Sequence, residues 1–445
     1  MQQHFYALRN ALTAMIVLML VCTTAILRGQ TLYIGPDNGD WLTAANWNAG
    51  LPSATNAPTV TGGKIVCING SLTIDYAVQN FGTIINKGTT TVSTGSILSG
   101  GALENQGTLT VSSGGSVTSS GGMLNSGTVN NGGNFNSNSA WTNTVTGSLT
   151  NTATFMQLAP FTNNGSVANN GGTFTCPQAF TNNKTVSNAS GATFKVDFGG
   201  AFTNAVGSTL TNAGSFQNLG AFTNNTTVTN TGTFTNNSTH TCNGIFNNES
   251  GGRLESTAVV NLSGRINNKV GATIVSSFRF NVLANGYVSS FGQFTNNDMV
   301  DVKALGTFVN ETGSTLTGNF GSSIVNAGYF KISASSTVST NGSISNSKKF
   351  DNYGTYDAMG GGQITNTDSV CNFNVIKNVN IITNSGVWKN NGTTENNSGG
   401  VWTNTGKIEN AKGATISNNF EILNKPTGTI VNNGTFNNKS PAVTK

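Results

Sequence analysis

Charge is scarce. Only 8% of the 445 residues are Asp, Glu, Lys or Arg, against roughly 25% in ordinary globular domains. Histidine is scarcer: His4 and His240 are the two present, and His4 sits in an N-terminal leader. Catalysis by histidine and a His-rich metal site are thereby nearly excluded. The low proline content rules against a Pro-rich stalk. The formal charge of +5 falls to 19 − 16 = +3 once Arg9 and Arg28 leave with the leader. That is too weak and diffuse for a nucleic-acid footprint, and no nucleic-acid partner is expected. Cys67, Cys176, Cys242 and Cys371 lie far apart in the chain, with no CxxC pair. Zinc is not indicated, a small disulfide scaffold is excluded by length and spacing, and each cysteine is expected as a small hydrophobe facing a core.

Long apolar runs are also missing after the start. Residues 1–30 read as a secretory signal, with Arg9 ahead of the apolar stretch from Ala11 to Cys22. The stretch falls short of the roughly 20 residues a membrane span needs. Val21 stands where a lipobox wants a small residue, so Cys22 is not read as a lipid anchor. No transmembrane segment is expected after the signal. The mature chain is expected to be secreted or held at the cell surface.

What is present is asparagine, far above the usual level, with 56 Gly and 25 Phe. From Ala153 the chain repeats itself as ATFMQLAPFTNNGSVANNGG, TFTCPQAFTNNKTVSNASG, ATFKVDFGGAFTNAVGSTLTNAG and SFQNLGAFTNNTTVTNTG, four units of unequal length. Looser copies occur at Gly306–Asn310 and Gly434–Asn438. Asn, Thr, Ser and Gly are weak helix formers, and apolar residues alternate with polar ones over short stretches, the period of a strand. In Ala221-Phe-Thr-Asn-Asn225, Phe222 and Asn224 therefore share one face and Thr223 points the other way. A unit of about 20 residues holding two or three strands has the size of one coil of a solenoid. The expected fold is all-β, a right-handed parallel β-helix (solenoid) of about 20-residue coils. Phe161, Phe180, Phe202 and Phe222 should stack inward, beside a ladder of Asn163, Asn182, Asn204 and Asn224. The domain reading is a signal peptide at 1–30, an N-terminal cap at 31–62, solenoid repeats at 63–440 and a tail at 441–445. Trp41 and Trp47 suit the cap; a carbohydrate-binding aromatic pair is the alternative.

The opening Trp41-x₅-Trp47-x₂-Gly50-x-Pro52, followed by Asn/Gly/Thr-rich coils, resembles bacterial surface proteins with autotransporter-type or haemagglutinin-like β-helical passengers. It is also similar to repeat adhesins exported by Bacteroidetes. The resemblance covers nearly all of the mature chain and is mostly compositional. Neither the C-terminal β-barrel translocator nor the immunoglobulin-like sorting domain of such proteins is recognisable. It implies an adhesive or structural surface protein, with glycans or cell-surface components as partners. End-to-end self-association, or a partner capping the C-terminal coil, is also expected.

Some β-helices are polysaccharide lyases or hydrolases, which need placed carboxylates. The nearest Asp pairs are Asp37/Asp40, Asp298/Asp301 and Asp351/Asp357. Asp298 and Asp301 should face opposite sides of a strand and read as a solvated bend, and Asp37-Asn-Gly-Asp40 as a turn. His240 reads as a surface residue. Gly360-Gly-Gly362 does not open a helix, so no phosphate loop is implied. Thr173-Phe-Thr175 and Thr227-Val-Thr229 raise ice binding as a minor alternative. No catalytic, cofactor-binding or metal-ligating residue is singled out, and no cofactor is expected. The leading expectation is a non-enzymatic adhesive solenoid; the alternative is a polysaccharide-active enzyme on the same fold.

Overall fold

The computed structural model describes residues 30–439 and 443–444. All of the expected leader but Gln30 lies outside them, with His4 and Cys22, as does most of the 441–445 tail. The chain divides into two compact units, 1–166 and 167–445. Each is a parallel β-solenoid, and together they carry about 19 coils. Among the described residues, Ala44–Asn46 is the one helical turn, and it is 3-10.

Three strands make a coil, as in Thr173–Cys176, Ala179–Asn182 and Thr185–Asn188. Each strand pairs in parallel with its equivalent one coil on, which builds three sheets, named here first, second and third in that order. Thr173 pairs with Thr193, Ala179 with Ala201 and Thr185 with Thr209. Coil length varies: Thr185 pairs with Thr209, but Thr209 already meets its equivalent at Thr227. The longer coil takes up its extra residues at the corners, so the strands keep their register. Four-residue strands with a two-residue period put positions two and four inside. Position two is apolar and position four is usually Asn, so a strand such as Ala201-Phe-Thr-Asn204 alternates outward, buried, outward, buried.

In the second unit Phe180, Phe202 and Phe222 stack face to face, with ring centroids 4.9 and 5.4 Å apart and planes within 13°. A second column, Phe174, Phe194, Phe216 and Phe234, rises from the first sheet. The two columns meet edge to face, as at Phe194–Phe202, 87° and 5.7 Å. Both geometries favour the ring quadrupole. In the first unit Phe161 is likewise buried and lies 5.5 Å from Trp141.

The asparagines form the expected ladder. Asn182 Nδ2 donates to Asn204 Oδ1 at 2.8 Å, and Asn204 donates to Asn224 at 3.0 Å. In the first unit the run Asn86, Asn105, Asn125, Asn143, Asn163 is linked the same way at 2.7–2.8 Å. Many of these amides also reach a backbone carbonyl, as Asn182 does at Thr209 (2.9 Å). A buried amide left unpaired would be costly; where asparagine follows asparagine, one side-chain type satisfies itself from coil to coil, and the Oδ1 of Asn218 and of Asn352, which face Val196 and Ile332 in the preceding coil, goes without a partner.

Among non-glycine residues only Asn38, Asn285, Leu305 and Ser335 adopt positive φ among those described. The Asn-Asn pairs that close strands, such as Asn224-Asn225, therefore need no left-handed asparagine: the first is the inward amide and the second begins the bend. Glycines at the tight corners are required by close approach instead, since a Cβ on Gly107 would collide with the carbonyl of Gly88.

Candidate functional site

The residues singled out in the sequence do not form a reaction centre. Asp301 lies in the strand Met299–Val302, not in a solvated bend; its side chain is buried and pairs with Lys303 Nζ at 2.6 Å. Asp298 sits in the preceding bend, half-exposed, and no bond links the two carboxylates. Asp37 lies in a turn, as expected, and both it and Asp40 accept backbone N–H groups, from Ile65 and Asn69. Among the described residues no three His, Cys, Asp or Glu side chains come together as metal ligands would. Gly360–Gly362 forms a corner.

His240 is the clearest correction. It is fully buried, continues the phenylalanine column above Phe222 at 5.0 Å, and neither ring nitrogen has a hydrogen-bond partner. Burial alone drives its pKa down to about 3. Its position, two before the ladder's Cys242, fixes an inward direction that composition could not reveal. Cys242 and Cys176 are buried as expected, and burial raises the Cys242 thiol to about 12. Cys371 is not: it holds an outward, half-exposed position. Cys67 is buried at an outward position, beside Asn38 of the N-terminal segment. Trp41 and Trp47 are buried against each other, with Trp47 Nε1 donating to the Trp41 carbonyl at 2.8 Å. They offer no face to a sugar. The two Thr-x-Thr pairs cited for ice binding lie on different sheets, Thr173/Thr175 on the first and Thr227/Thr229 on the third.

A strip on the outer face of the third sheet, within the second unit, brings cations, carboxylates and aromatic rings into direct contact. Strand starts in successive coils there carry Arg265, Tyr287, Thr307, Tyr329 and Lys349. The outward residues two further on include Lys331, Asp351 and Cys371. At the following bends stand Glu311, Tyr353 and Phe373. The guanidinium of Arg265 lies 4.6 Å over the Tyr287 ring, Lys349 5.0 Å over Tyr329 and Lys331 5.5 Å over Tyr353. Tyr329 donates to Asp351 at 2.9 Å, and Lys349 pairs with the same carboxylate at 2.8 Å. Glu311 accepts from Ser289 at 2.8 Å. Tyr353 and Phe373 stack at 4.4 Å with parallel planes.

Electrostatics follow from this packing. Burial, then the hydrogen bond to Asp351 and its charge, push the Tyr329 phenol well above its ordinary value. The bond to Asp351 raises the Lys349 ammonium, against a smaller opposing effect of burial. The strip is thus prearranged, with Lys349 and Asp351 paired, Arg265 and Lys331 held over tyrosine rings, and aromatic edges exposed at Tyr353 (39%) and Phe373 (42%).

No protein-family model matches the chain, and no curated protein sequence matches it. Among solved structures, the chain is similar to a TibC-catalyzed hyper-glycosylated TibA55-350 fragment. The match covers 84% of this chain and 100% of that one, at 17% identity and a TM-score of 0.14. A likeness that loose carries no argument, so the reading of the strip rests on its own geometry. Sequence reasoning missed the strip. Its signal is tyrosine at strand starts that elsewhere carry Thr or Ser, with Lys and Asp two positions apart at Lys349-Phe-Asp351.

Proposed function

We propose that this chain is a secreted or cell-surface structural and adhesive protein, whose solenoid makes many weak contacts with glycans, other cells or copies of itself. The observation that carries the reading is the third-sheet strip. In a chain with 8% charged residues, three cation–ring contacts, the Lys349–Asp351 pair and the Tyr353–Phe373 stack gather on one register of one sheet. Stacked rings and amide- or hydroxyl-rich neighbours suit saccharide recognition, and repetition turns weak contacts into avidity. The leader supports an exported protein, and the resemblance to β-helical bacterial adhesins is in keeping with both. The test is a glycan array and a cell-binding assay on the mature chain, run beside a lyase and hydrolase screen. Binding that falls in a Tyr353→Ala/Phe373→Ala variant, without turnover of any polysaccharide, is the expected outcome. Turnover would replace the adhesive reading with the enzymatic one.

A further inference from the structure

Phe320 is the most exposed large apolar side chain described, at 86%. It sits at the tip of the corner Asn319-Phe-Gly-Ser322, which joins Thr315–Gly318 of the first sheet to Ser323–Asn326 of the second. Gly321, with φ of +82°, permits that turn. Ordinary burial would fold such a ring onto its own coil. Instead it lies along the corner toward Gly361, two coils on: a Cβ there would stand 3.5 Å from two of its ring carbons. The next coil has Asn341-Gly342 at this place and the one after has Gly360–Gly362, so missing side chains leave a hollow. Its volume is about 450 Å³ and its polar lining is Ser322, Asn341, Ser343, Gln363 and Asn380, within the ~300–1,000 Å³ of small-molecule sites.

Ser322 forms the floor of the hollow and is 2% exposed, its hydroxyl closed in beneath Gly342, where a Cβ would stand 2.6 Å from it. No charged residue lines the hollow, which disfavours phosphate, sulfate or a uronic acid.

We infer that this corner is a subsite for a neutral pyranose ring, stacked by its C–H face on Phe320. Its hydroxyls, each both donor and acceptor, meet the amides of Asn341, Gln363 and Asn380 and the half-exposed hydroxyl of Ser343. The site is distinct from the third-sheet strip, and is uncharged where the strip is ionic. The adhesive reading is therefore deepened by a named ligand class but does not depend on it.

The experiment uses the mature chain and its Phe320→Ala, Phe320→Trp and Gln363→Ala variants. All five native tryptophans are buried, so F320W adds a lone exposed indole whose acrylamide quenching reports occupancy. The probes are methyl β-glucoside, methyl β-galactoside, methyl α-mannoside and methyl β-N-acetylglucosaminide, with adenosine as the flat non-sugar control. Saturable binding of at least one glycoside, protecting the indole from quenching, is expected. F320A and Q363A should weaken it about tenfold, the order of one lost ring or bidentate contact, with unchanged denaturation midpoints. Salt and the Tyr353→Ala/Phe373→Ala variant should leave it alone. No saturation by any glycoside up to about 10 mM, binding indifferent to F320A, or tighter binding of adenosine would overturn the assignment. Cell or glycan-array binding abolished by the strip variant would survive that result, so the two readings fail separately.

Discussion

His240 occupies a place that its neighbours give to phenylalanine and valine: Phe222 precedes it in the column and Val260 follows. Phe234 and Phe246 flank it, so nothing polar compensates its two nitrogens. The unfolded chain binds a proton there below pH 6.5, while the folded chain resists until about pH 3. Stability is therefore complete above 6.5 and falls as pH drops toward 3, by up to about 1.4 kcal/mol per pH unit. His240→Phe should raise stability at pH 7 by about 1–3 kcal/mol, since unpaired buried nitrogens are replaced by a ring that stacks. It should also flatten the acid dependence between pH 6 and 4 (approximate bounds of the titration range). Denaturant titrations of both proteins at the two pH values check this, and parallel acid curves would contradict it. Cysteine direction was only half legible, because which side of a strand a residue takes depends on register, and Cys371 falls one position from the inward Asn372.

Strands and corners were the most readable level. Phe-Thr-Asn in one repeat names an inward ring, an outward hydroxyl and an inward amide, and the pairing of Phe180 with Phe202 and of Asn182 with Asn204 follows. Phe180→Ala should cost about 3–5 kcal/mol, opening a cavity between the two columns. Asn204→Leu should cost about 1–3 kcal/mol, because it strands the Asn182 donor while filling the same space. Both losses should appear as local unfolding around those coils, since each coil touches mainly its neighbours. Hydrogen exchange resolved along the chain is the measurement; uniform loss of protection over all coils would refute local coupling. The strip and the Phe320 hollow were not readable at this level. Coils of unequal length scramble the spacing, so Tyr287, Tyr329 and Lys349 fall into one strip only once the register is known.

For the whole chain, repetition made the solenoid legible, whereas no motif in the sequence names a partner. The contrast within the surface carries the functional expectation. Tyr353→Ala/Phe373→Ala removes two half-exposed rings, so stability should shift by less than about 1 kcal/mol. Cell or glycan binding should fall disproportionately, because avidity multiplies each weakened contact. Equal loss of binding and of stability would reduce the strip to a structural patch.

The asparagine ladder has a sense. Its inward links run from the Nδ2 of one coil to an acceptor in the next, and at several places where asparagine is absent the replacement still accepts: Ser99, Ser256, Ser290 and Cys242 receive the bond from Asn80, Asn236, Asn268 and Asn224, whereas Val196 and Ile332 interrupt the ladder. A coil with asparagine on all three strands, such as the one carrying Asn224, Asn230 and Asn236, is therefore a directional module that ends in the same donor it began by satisfying. Duplicating such a coil in tandem leaves no orphan amide at either seam, so copying it is a way for the gene to lengthen this protein without a compensating change in the ladder.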